Sequence, residues 1–143
     1  MSKLLARLSD ASRSGVYRAR GDAEVLDATR GSKLDVVRVD LRAAKLKAEL
    51  LEAFARALAF PRWFGGNWDA LEDCLADLSW MPGEGRVILI ECGPGIAADD
   101  LGVLRDILAT VAESWADRGK PFFAVFLGAK ATPMLPELFR RKT

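Results

Sequence analysis

The sequence predicts an α/β fold: a small three-stranded parallel sheet with helices packed on it. Three apolar runs rich in β-branched and aromatic residues carry that reading: VVRVD at 36–40, RVILIEC at 86–92 and PFFAVFL at 121–127. Between them lie segments in which apolar residues recur at helical spacing. Crossovers of that length suit right-handed parallel connections. The chain has 143 residues, enough for one domain with a sizeable core.

The first twenty residues give the weakest signals. LLARL reads as a short helical turn and GVYRAR as a short edge strand, followed by a brief helix over 22–29 and a turn at RGSK. After the 36–40 strand, Leu46, Leu50, Phe54 and Leu58 mark a helix over 43–59. Pro61 stops it, because proline lacks an N–H and constrains the residue before it. Gly65 and Gly66 supply a flexible or left-handed turn. Asn67 stands as an N-cap, with Asp69 in the first turn of a helix running to Leu78. MPGEG is a loop, and GPG a turn after the second strand. A long helix begins at Asp99 or Asp100 and reaches Asp117, with Leu101, Leu104, Leu108, Val111 and Trp115 on one face. Gly119 ends it and Pro121 opens the last strand. These readings divide the chain into an N-terminal extension (1–35) whose short strand and helix pack on the core, a main domain (36–127), and a basic tail (128–143) expected to be loosely packed.

Composition narrows the function. Half the residues are hydrophobic and 29% are charged, as in ordinary globular domains. There is no apolar run long enough for a membrane span and no secretory signal pattern at the start. Cys74 and Cys92 match no metal or redox spacing and read as buried thiols in a reducing cytoplasm. With no histidine, the commonest general base and zinc ligand is missing. No cofactor or metal site is expected. The net charge of +1 conceals a division: residues 61–128 hold five bases and eleven acids, while both ends are basic.

The acids concentrate beside large rings in the stretch FPRWFGGNWDALEDCLADL, residues 60–78. On its helix Trp68, Leu71, Leu75 and Leu78 form the inward stripe, which makes Trp68 a core residue. Asp69, Glu72 and Asp73 share the other face. Asp69 and Asp73 repel at i,i+4, and no base on the same helix relieves them. Of the adjacent Trp63 and Phe64, one must pack inward, leaving the other as an exposed anchor beside an acidic surface. That arrangement suits a protein-binding hot spot facing a basic, concave partner. Pro61, Trp63, Phe64, Gly65, Asn67, Trp68, Asp69, Ala70, Leu71, Asp73, Cys74 and Leu75 together resemble the signature of the barstar family, intracellular inhibitors of small secreted ribonucleases.

The resemblance implies that the 61–78 loop and acidic helix occlude a nuclease active site. Trp63 would cover the cleft, while Asp69 and Asp73 would pair with its arginines and lysines. It implies a partner-binding set of Trp63, Gly65, Gly66, Asn67, Asp69, Glu72, Asp73, Asp77 and Glu113. Glu72 stands where the family's best-known pattern has an exposed tryptophan. Glu113 lies beside Ser114, the position matching a contributing glutamate. The implied partner is a small basic secreted ribonuclease or related nuclease toxin, bound 1:1 by a monomeric, antitoxin-like immunity protein of a bacterial cytoplasm. The alternative is a barstar-like module with a non-nuclease partner. Direct nucleic-acid binding suits the basic tail but not the acidic body. An enzyme built on Asp69 and Asp73 would lack a third ligand or a nucleophile–base pair. ECGPG lacks the Gly-Lys-Ser/Thr of a phosphate loop and reads as a turn.

Overall fold

A computed structural model describes residues 2–128 and 135–139. Its elements run α1 (Lys3–Leu8), a 3-10 turn (Ala11–Arg13), β1 (Gly15–Ala19), α2 (Ala23–Thr29), β2 (Leu34–Leu41), α3 (Lys47–Ala57), α4 (Trp68–Asp77), β3 (Gly85–Cys92), α5 (Ala98–Asp117) and β4 (Phe122–Leu127). The sheet has four strands, all parallel, in the order β1-β4-β3-β2. The three strongest apolar runs are therefore joined by a fourth strand. β1 was legible in the sequence only as a short edge strand.

The central strands β3 and β4 have helices on both faces, which is why they read as continuous apolar runs. Successive side chains point to opposite faces. Ile88, Ile90, Phe122, Ala124 and Phe126 enter one core with Leu50, Phe54, Leu71, Leu75, Leu104 and Trp115 from α3, α4 and α5. Val87, Leu89, Phe123 and Val125 enter a second, smaller core with Leu8 of α1 and Val25 of α2. Both N-terminal helices thus cover the back of the sheet, while the helix after the glycine turn lies on the front.

Two details differ from the sequence reading and one bears it out, each for a physical reason. α3 starts at Lys47, because the Glu49 carboxylate accepts the backbone N–H of Lys45 and of Leu46, each at 3.0 Å, and fixes the first turn there. The turn after β3 needs its first glycine for packing: a Cβ on Gly93 would run into the Arg42 carbonyl at the end of β2. The C-terminal segment is not loosely packed where it is described. Arg18 of β1 donates its backbone N–H to the Pro136 carbonyl, and Leu138 donates back to Arg18. Residue 137 bridges Arg18 in parallel register, and Leu138 is completely buried in the smaller core. Arg140, Arg141 and Lys142, the basic end, lie outside the described residues.

Candidate functional site

α4 begins where the sequence places it. The Asn67 side-chain oxygen accepts the Ala70 N–H at 2.8 Å, capping the helix, and Gly66 takes the left-handed conformation (φ 69°) that turns the chain into it. Leu71, Cys74 and Leu75 are buried. The outward residues follow from that phase: Asp69, Asp73 and Asp77 are exposed and form a straight i,i+4 row, with Glu72 half-buried beside it. At 1.5 Å of rise per residue the row extends about 12 Å along the helix.

None of these four carboxylates has a hydrogen bond or ion pair among the described residues. Several acids on the sheet and on α3 are matched. Arg38 pairs with Asp22 at 3.0 Å and also with Glu91; Arg42 meets Asp40 at 2.9 Å and Glu91 at 3.1 Å; Arg56 meets Glu52 at 2.8 Å. The field of the α4 row is felt behind it. The Cys74 thiol is pushed up to about 11, first by burial and then by the charges of Asp73 and Asp77.

The preceding loop separates its two rings. Phe64 packs on the core and meets Phe60 edge-on at 5.0 Å. Trp63 is 59% exposed, as the argument from adjacent rings requires. Its indole stands edge-on to Trp80 at 6.4 Å, and Trp80 is itself edge-on to Phe60 at 6.3 Å and donates its indole N–H to the Leu58 carbonyl at 2.9 Å. Trp80 thus buttresses the exposed ring. Sequence reasoning missed it; a tryptophan opening the MPGEG loop was the available signal.

Two sequence expectations need correction or qualification. Trp68 is only partly buried. It is the first residue of α4, and helical side chains lean toward the N-terminus, so its ring overhangs the open end of the helix. There Lys47 places its ammonium 5.8 Å from the ring centroid. Glu113 is exposed on α5, but lies two positions, roughly 200° of helical turn, from Trp115, whose indole N–H donates to the Leu75 carbonyl of α4 at 3.0 Å. No contact draws it to the α4 row. Among the described residues no group of three or more His, Cys, Asp or Glu side chains is gathered as a metal ion would require. No described helix is long and apolar enough to cross a membrane.

With the loop, the cap and the acid row in place, one comparison decides the lineage. Residues 34–127 match the family described as Barstar (barnase inhibitor). The chain belongs to the barstar family. Barstar-family proteins are non-catalytic inhibitors, and the matched span runs from β2 to β4, taking in the loop and α4. No curated protein sequence matches the chain. Among solved structures, that of the Aeropyrum pernix ORC2 protein (ADPNP-ADP complexes) aligns at 18% identity and a TM-score of 0.46, over 84% of this chain and 36% of that one. So low a score supports no functional argument. Within the matched span, α4 and its preceding loop present an acidic, aromatic-edged surface.

Proposed function

We propose that this barstar-family chain inhibits a small, basic, secreted ribonuclease by seating residues 61–78 in its active site, as a 1:1 complex. The observation that carries the reading is the row of unpaired carboxylates beside an exposed tryptophan. Such a row can replace substrate phosphates against the nuclease's arginines and lysines, while Trp63 excludes water from the rim. Asp69 and Asp73 are the principal pairing groups, Asp77 extends the row, and Glu72 adds charge at its edge. Gly65, Gly66 and Asn67 shape the turn that leads from Trp63 into α4. Glu113, turned away from α4, contributes less than these. The two free thiols suit a reducing cytoplasm, where such an inhibitor would protect the cell that makes the nuclease.

Titrating the protein into a barnase assay should give stoichiometric inhibition that reverses when the complex is separated. Time-dependent, substoichiometric loss of nuclease activity would contradict occlusion. Removing one partner of an interfacial charge pair typically costs about 2–5 kcal/mol, partly because the opposing base is left unpaired. Asp73→Ala is therefore expected to raise Kd by roughly thirtyfold or more, mainly through faster dissociation, with the free protein still folded. Unchanged dissociation would remove α4 from the interface. Capture of a non-nuclease protein together with absent inhibition would favour the module reading.

A further inference from the structure

α4 carries four carboxylates and no base, and its last turn contains no cation to offset the negative end of the helix. Asp77 sits in that turn, where a carboxylate is unfavourable. The helix also ends abruptly, with Leu78 in the left-handed conformation (φ 46°). An isolated helix of this sequence would fray at the end that carries Asp73 and Asp77.

The rest of the molecule answers with donors aimed at the backbone rather than at the carboxylates. Trp115 of α5 gives its buried indole N–H to the Leu75 carbonyl at 3.0 Å. Arg118 gives a guanidinium N–H to the Ala76 carbonyl at 2.6 Å. Arg86 of β3, 3% exposed, reaches the Leu78 carbonyl at 3.2 Å and the Met81 carbonyl at 2.9 Å, and its other terminal nitrogen holds the carbonyls of Gly83 and Gly85. The guanidinium groups of Arg86 and Arg118 lie 5.3 and 4.9 Å from the Trp115 ring centroid. Cation–π contact therefore ties the three donors together.

We infer that Arg86, Trp115 and Arg118 form a positioning clamp that holds the last turn of α4 in register, so that its acid row meets a partner preorganised. The inference rests on the inhibitory reading for its consequence, not for its geometry. Placement is the central point. A cation on the outer face of α4 would stabilise the helix but neutralise the carboxylates the partner needs. A cation beneath the carbonyls offsets the helix dipole and leaves the row free. Because the donors fix orientation as well as charge, Arg118 should influence binding without reaching the partner.

Arg118 is exposed, so substitutions there spare the core, whereas Arg86 variants are poor tests because they leave buried carbonyls unsatisfied. In the free protein, Arg118→Met is expected to speed amide hydrogen exchange at residues 74–78 by about tenfold, the scale of one lost hydrogen bond to a charged group, with β3 and β4 unchanged. Arg118→Lys keeps charge but loses the planar fork and should fall between. Against barnase, Arg118→Met is expected to raise the dissociation rate by about tenfold. Combined with Asp73→Ala, the two effects should be less than additive, because a misplaced carboxylate matters only while it is present. Unchanged exchange in α4, or acceleration spread evenly over the sheet, would overturn the clamp whatever barnase does. So would unchanged dissociation of Arg118→Met in a protein whose Asp73→Ala variant dissociates faster. Selective loosening of α4 in a protein that never binds barnase would keep the clamp and count instead against the ribonuclease reading.

Discussion

At the scale of single residues, the two tryptophans flanking the glycine turn carry different duties. Trp63 is largely exposed, so Trp63→Ala should leave thermal unfolding nearly unchanged and weaken binding to barnase. Trp68 overhangs the helix end and is only partly buried, which lowers the expected loss for Trp68→Ala to about 1–3 kcal/mol, below the full cost of truncating a buried aromatic. If calorimetry makes Trp63 the costlier truncation, the inside and outside assignments are reversed. Their contrast was half legible. Two adjacent rings cannot both face inward, which singles out an exposed one, but stripe membership says nothing about whether a residue is roofed at the end of its helix. The thiols give a second test. Burial is the chief cause that pushes both Cys74 and Cys92 up from 9.0 to about 11. A folded-state value above the unfolded one means stability fully present below pH 9 and lost as pH climbs toward 11. Denaturant unfolding from pH 8 to 11 should fall more steeply for the native chain than for the Cys74→Ala, Cys92→Ala double variant. Parallel curves would contradict the burial.

Elements show where local sequence suffices and where it does not. α4 was readable throughout, because its cap, first-turn acid and apolar stripe all agree on one helix. Asn67→Ala removes the oxygen that accepts the Ala70 N–H and should destabilise the protein by about 1 kcal/mol. Asn67→Asp should retain most of the stability, and equal losses for both would mean the cap contributes little. The start of α3 was misjudged by four residues because periodicity extends into the turn at 43–46, while the boundary is set by the Glu49 carboxylate reaching back. The clamp under α4 was not readable at all. Arg86 and Arg118 look like ordinary charges in sequence, and only the fold brings them to one indole.

On the scale of the whole molecule, the sheet is closed at one edge by its own C-terminal segment. Arg18 of β1 is tied to that segment by backbone bonds at 2.9 Å and by an ion pair to Glu137 at 3.3 Å. Leu138→Ala should therefore cost about 2–5 kcal/mol, the range for a buried leucine, and loosen β1 first in hydrogen exchange. A loss within experimental error would mean the segment merely rests on the edge. Pro133, Pro136 and the basic end make this segment read as an appendage, so its packing was invisible before the fold was known. The same long-range pairing governs how fast the protein can assemble. Gly15 faces Phe123 across the β1–β4 ladder, and Ser14 accepts the Phe122 N–H. β1, the first of these strands in sequence, thus waits for β4, and every strand pairing must close a long loop before any contact rewards it. Refolding should then take milliseconds to seconds, not the microseconds typical of helical bundles. Under the inhibitory function proposed above, the interval between synthesis and a finished sheet is one in which a nuclease made by the same cell would meet no working inhibitor.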